Sequence, residues 1–207
     1  LDKTPLMRVD AGRGITLPSY LNTSSSHGWW ALSIFLIVDA AFISALTYSY
    51  FFLWSQNNTA WPPEGTLLPN RGVAIGLGLG VLGAWGFFEL APRFVNHRRF
   101  FPAGLSLILS AVFGVVVLAG GFAFAGLMQL APTKHTFGAI TATLLGYAGV
   151  HILLGVLMAF WCIARMAAGY LYPGHTMTLQ LCRAWWHFTA AISILYLPLI
   201  AGYPYAA

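Results

Sequence analysis

Five apolar runs dominate the chain, separated by short stretches rich in proline, glycine, asparagine and arginine. They fall at roughly 28–54, 72–90, 103–130, 136–168 and 184–203, and each covers a hydrocarbon core of about 30 Å at about 1.5 Å per residue. The pattern predicts an all-α protein, a polytopic bundle of five transmembrane helices over residues 28–205, preceded by a cytoplasmic N-terminal segment, residues 1–27. The first run is entered through SSSHGWW, where Ser25 or Ser26 suits an N-cap, and leaves through Trp54 into a polar turn closed by Pro62 and Pro63. The second run should end before Pro92. The third should start after Pro102 and stop before Pro132, and the fourth should give way at Tyr172, Pro173 and Gly174. Short connections predict that successive helices are antiparallel neighbours.

Composition narrows the class. With 58% hydrophobic and 7% charged residues, the chain has too little charge for the surface of a soluble domain. The net charge of +5 is spread singly beside the apolar runs, without an arginine-rich stripe interleaved with aromatics, which argues against a nucleic-acid partner. Eight basic residues (Lys3, Arg8, Arg13, Arg93, Arg98, Arg99, Arg165 and Arg183) fall on one side of the expected topology, against Arg71 and Lys134 on the other. Such a bias predicts a cytoplasmic or matrix N-terminus and a C-terminus on the outer side.

Small residues mark the faces where helices meet. Gly72, Gly76, Gly80 and Gly83 recur on one side of the second span, and Gly146, Gly149 and Gly155 give the fourth a similar character. Both sets are expected to let a neighbouring backbone approach closely.

Ionisable groups inside the spans are the candidate sites, because a charge is costly there unless paired. Asp39 lies about twelve residues into the first span, a depth of roughly 18 Å, and His151 about fourteen residues from Arg165, roughly 21 Å. These depths agree within one helical turn, so Asp39 can accept a hydrogen bond from His151 if the first and fourth helices touch. His187 lies only about four residues from Arg183, roughly 15 Å from His151 in depth, so the two cannot hold one haem iron between them. Glu89 and Arg93 have the i, i+4 spacing of a helix-terminal ion pair. Arg165 and Arg183 flank the YLYPGH turn. Together with Trp161, Trp185, Trp186 and His187 they form a candidate phospholipid-binding set at the headgroup boundary, and ordinary anchoring would use the same residues. Cys162 and Cys182 lack the spacing of a structural zinc site, and no catalytic, cofactor-binding or metal-ligating set is read in this chain.

The stretch FGAITATLLGYAGVHILLG at 137–155, the arginine at 165 and AWWHF at 184–188 together resemble subunit III of haem-copper respiratory oxidases. Gly146, Gly149, His151 and Gly155 match the family's histidine-bearing helix, and Trp186, His187 and Phe188 its tryptophan-histidine-phenylalanine signature. LIVDAAF at 36–42 resembles the segment bearing a buried acid, with Asp39 in place of the usual glutamate. Ala148 stands where the family has a second histidine, and no acid follows the His187-Phe188 pair. The five spans resemble the last five of the family's seven helices, and LPSY, the paired tryptophans and PPEG are similar to the subunit III portion of fused subunit I and III proteins.

The resemblance implies an accessory, non-catalytic subunit of a cytochrome c oxidase or related terminal oxidase. Such a subunit packs against catalytic subunit I and other respiratory subunits, retains phospholipid, and supports assembly and proton uptake during reduction of oxygen to water. It implies that haem and copper reside in the partner subunit and none in this chain, with Asp39 and His151 shaping the buried interior. The fusion-like segments point to a bacterial plasma membrane rather than a mitochondrial inner membrane. Two other readings stand beside it: a transporter or channel subunit, and a haem-bearing membrane anchor of another respiratory enzyme.

Overall fold

The computed structural model describes residues 8–10, 16–18, 26–57, 61–64, 66–68, 70–202 and 204. Lys3 and Arg13, which contribute to the charge asymmetry, lie outside the described residues, as does most of the segment 1–27. Two three-residue strands, β1 (Arg8–Asp10) and β2 (Thr16–Pro18), pair antiparallel with Val9 opposite Leu17. Five helices follow: α1 (His27–Gln56), α2 (Arg71–Asn96), α3 (Phe100–Leu127), α4 (Thr136–Ala167) and α5 (Met177–Ala201). All five are long and apolar enough to cross a membrane. Hydrocarbon offers no water to the backbone, so helices, which satisfy every internal N–H and C=O, are the form these apolar runs must take.

Helix ends follow local chemistry. Ser26 Oγ accepts from Trp29 N at 3.3 Å, Asn70 Oδ1 from Gly72 N at 2.9 Å, and His135 Nδ1 from Gly138 N at 3.1 Å. At the far end of α4, Gly169 takes φ +77°, with Gly169 N on Met166 O and Tyr170 N on Arg165 O, a Schellman closure. The end of α2 uses the same bonds, Arg98 N on Val95 O and Arg99 N on Phe94 O, with Arg98 at φ +57° where glycine is usual.

Prolines interrupt less than expected. α2 runs through Pro92 to Asn96, the proline giving up only the one bond its N–H would make to the Phe88 carbonyl. α3 includes Pro102 in its first turn, where the missing N–H has no intrahelical partner to lose. α5 starts at Met177 rather than near 184 and passes through Pro198.

Consecutive packing of α2 on α3, α3 on α4 and α4 on α5 is closed by contact of α5 with α2, giving a ring of four helices. α1 docks outside this ring, on α4 and α5. That corrects the expectation that α1 and α2, joined by a short connection, would be neighbours. Without a hydrophobic drive between helices in lipid, close van der Waals fit holds the ring together. A Cβ at Gly80 would lie 2.5 Å from Val117, one at Gly83 2.9 Å from Phe113, one at Gly114 2.5 Å from Val156, and one at Gly155 2.9 Å from Trp186. Gly76, Gly146 and Gly149 meet nothing within 4 Å, and Gly72 meets only its own cap residue, Asn70, so close approach is confined to part of each glycine series. Outward-facing Ile37, Val38, Ile75 and Phe122 are exposed, as lipid-facing side chains should be.

Candidate functional site

The α1–α4 contact is organised around Asp39. α1 is apolar on nearly every face, so the burial of this acid against α4 sets the rotation at which the helix docks. Asp39 Oδ2 lies 2.6 Å from His151 Nε2, and the Tyr147 hydroxyl donates to Asp39 Oδ1. His151 Nδ1 lies 2.9 Å from the Tyr147 carbonyl, and its ring stacks on Trp185 at 5.1 Å with an interplanar angle of 5°. Trp185 Nε1 in turn donates to the His151 carbonyl at 3.0 Å, tying α5 to the same turn of α4. Asp39 and His151 are 9% and 3% exposed, so neither relies on water for its partners.

Hydrogen-bond directions constrain the protons. A carbonyl only accepts, so Nδ1 of His151 carries a proton. One further proton lies between Nε2 and Oδ2. Whether it rests on the imidazole or the carboxyl, the pair has no net charge, which suits a site facing hydrocarbon. The arrangement can hold one proton at a defined depth and pass it over 2.6 Å between two heavy atoms.

Depth counting along two helices brings Asp39 and His151 together; it does not reach Tyr147. Its signal was the four-residue spacing to His151, which places both side chains on one face of α4.

A second polar cluster joins α2 to α5. Arg183 Nε lies 2.8 Å from Glu89 Oε2, while Arg93 is 3.8 Å and His187 Nε2 3.9 Å from the same carboxylate. Arg183, read from the sequence as a headgroup ligand, is the closest partner of Glu89, and the expected Arg93 pair is the looser one. His187 donates from Nδ1 to the Arg183 carbonyl at 2.8 Å and sits edge-on to Trp85 at 5.4 Å. Trp185 and Trp186, expected at the headgroup boundary, are 2% and 0% exposed. They lie inside the bundle because they face α4, Trp185 stacked on His151 and Trp186 over Gly155. Because α5 begins seven residues before the expected start, this stretch is level with His151, so the expected depth offset between His187 and His151 is not found.

Arg165 is placed differently. Its guanidinium carbon lies 5.9 Å from the Trp161 ring and 5.4 Å from the Tyr170 ring, and its Nε is buried without a hydrogen-bond partner among the described residues. Trp161 is exposed, on the outer face of α4. Cys162 and Cys182 are buried free thiols whose sulfurs lie 3.6 Å apart across the α4–α5 contact. Among the described residues no group of three or more His, Cys, Asp or Glu side chains converges as a metal site would require.

The fold and its buried polar pair define the class: a polytopic helical membrane protein whose ionisable groups within the bundle are tied to partners. Within that class the chain is distantly similar to cytochrome c oxidase subunit 3. It is 25% identical over 181 residues to that of Lumbricus terrestris, covering 81% of this chain and 67% of the relative. It is 24% identical over 180 residues to the Synechocystis sp. protein, covering 78% and 70%. With the Drosophila yakuba protein the identity is 20% over 173 residues, covering 79% and 64%. The chain thus spans about two thirds of the length of these relatives. No protein-family model matches it.

Proposed function

We propose that this chain is an accessory, non-catalytic subunit of a haem-copper respiratory oxidase, packing against a catalytic subunit I that carries the haem and copper. One observation carries the reading: the acid and the histidine that the sequence resemblance singles out, on helices 112 residues apart in sequence, meet as a buried pair in a chain similar to cytochrome c oxidase subunit 3 from an annelid, an insect and a cyanobacterium. The basic ends of α2, α4 and α5 face the cytoplasm of a bacterium in this reading, and the C-terminus lies outside.

Three roles follow for its residues. The Asp39–Tyr147–His151 network keeps α1 docked on α4 and α5, and through that docking supports proton uptake by the assembled enzyme. Arg165, held between Trp161 and Tyr170, takes the phosphate of a retained phospholipid, a geometry in which aromatic faces orient a guanidinium toward an anion. Arg183 and His187 leave that set, because their nearest anion is Glu89. The tight faces at Gly80, Gly83 and Gly155 hold the ring that presents these surfaces to subunit I.

The reading is tested in the assembled oxidase with Asp39→Leu. Initial oxygen consumption should stay near that of the parent enzyme, while activity decays faster over repeated turnover. An Asp39→Leu oxidase that assembles with its metals intact yet never turns over would contradict an accessory role.

A further inference from the structure

The seam between α4 and α5 holds two nucleophilic atoms that the Asp39 network does not use. α4 ends at Ala167 and α5 starts at Met177, so Cys162 and Cys182 each lie five residues, about 8 Å, from the turn that joins the helices. The antiparallel hairpin therefore sets them level, and the Cys162 thiol donates to Cys182 Sγ at 3.6 Å. Both are buried, in a cluster with Ala159, Leu171, Leu179 and Trp186. One cysteine in such surroundings would be a small apolar filler. Two in contact share a reaction that neither has alone, because a disulfide bond of about 2.05 Å needs the sulfurs to close by only about 1.5 Å, a movement divided between two side chains. Arg165, one turn beyond Cys162 on the same face of α4, has its Nε buried without a hydrogen-bond partner among the described residues. A positive charge thus stands near the sulfurs where a thiolate would form during attack.

We propose that Cys162 and Cys182 are a peroxide-sensitive thiol–disulfide pair that clamps α4 to α5 when oxidised. Peroxide is small and neutral, so it enters an apolar seam that excludes bulky thiol reagents. One sulfur attacks a peroxide oxygen and breaks the O–O bond, leaving a sulfenic acid and a water; the second thiol attacks that sulfur, forms the S–S bond and releases another water. The thiols together lose two electrons and two protons, and the peroxide is reduced to two waters. The bond joins positions 20 apart in sequence across the α4–α5 turn and fixes the seam on which Trp185 stacks against His151. This pair depends only on how α4 meets α5, so it stands or falls separately from the oxidase reading.

The test treats the native assembly in its own membranes with hydrogen peroxide, alkylates the remaining thiols with N-ethylmaleimide after unfolding in dodecyl sulfate, and digests with trypsin. Cleavage after Lys134, Arg165 and Arg183 puts Cys162 on peptide 135–165 and Cys182 on peptide 166–183. Untreated protein should yield both peptides separately, each alkylated. Treated protein should yield them joined and free of maleimide, and dithiothreitol should part them. The treated protein should also unfold at a higher dodecyl sulfate fraction than the untreated, a shift that Cys182→Ser should abolish. Peptides that stay separate after peroxide, whether alkylated or carrying sulfinic or sulfonic acid, overturn the proposal. So does an unchanged unfolding midpoint, or a shift that persists in Cys182→Ser and therefore arises elsewhere in the chain.

Discussion

Replacing Asp39 with leucine or with asparagine separates the two things its carboxyl does. Leucine keeps the branched shape of the side chain and leaves the Tyr147 hydroxyl and His151 Nε2 without partners at an almost dry contact. Each unpaired buried group costs about 1–3 kcal/mol in water-soluble proteins, and interhelical hydrogen bonds in membranes average about 0.6 and reach about 1.7, so the pair should cost about 2–3 kcal/mol. Asparagine restores every bond: its carbonyl accepts from Tyr147, and its amide donates to Nε2 of a histidine that keeps its other proton on Nδ1. Its cost should therefore stay within about 0.5 kcal/mol. Adding His151→Leu to Asp39→Leu removes one of the stranded groups, so the double variant should lose about 1 kcal/mol less than the sum of the singles. Unfolding in mixed micelles of dodecyl sulfate, followed by tryptophan fluorescence, reads these differences, since Trp185 stacks on His151. Asparagine as damaging as leucine, or strictly additive singles, would refute the hydrogen-bond account of how α1 docks.

Other expectations follow from the packing and the helix ends. Gly155→Leu drives its side chain into Trp186 and should destabilise by about 1–3 kcal/mol in thermal denaturation, whereas Gly146→Ala, with nothing within 4 Å, should be neutral. Arg98→Gly relieves a left-handed backbone position and should stabilise by about 0.5–1 kcal/mol in the same assay. Glu89→Gln loosens the tie to Arg183, but Arg183 is nearly half exposed, so the loss should stay below about 1 kcal/mol and shrink as salt is added. Cys162 and Cys182 should resist maleimide in the folded protein and react rapidly once it is unfolded in detergent, as mass spectrometry would show.

The spans were legible because hydrocarbon permits only one way to satisfy a long apolar backbone, and the meeting of Asp39 with His151 followed from counting helical rise. What escaped the sequence depends on which helices touch. Glu89 finds Arg183 only because α2 packs on α5, and nothing in either segment announces that contact. Trp185 and Trp186 were placed too shallow because polar Thr178, Gln180 and Arg183 resemble a connection, although they form the first turns of α5. α1 and α2 follow one another in sequence yet are not a main packing pair, since Asp39 is satisfied on α4 and the ring closes without α1. Pro92 and Pro102 misled for local reasons: Pro102 stands in a first turn where its N–H has no partner to lose, and Pro92, buried in the bundle, gives up a single bond without ending the helix.

The most direct measurement is the composition of the native assembly, purified in mild detergent, by intact-subunit mass spectrometry together with its reduced-minus-oxidised haem spectrum. An accessory oxidase subunit predicts that this chain copurifies with a larger subunit carrying haem and copper. A stable assembly containing this chain but neither metal centre would contradict the account and redirect it toward transport.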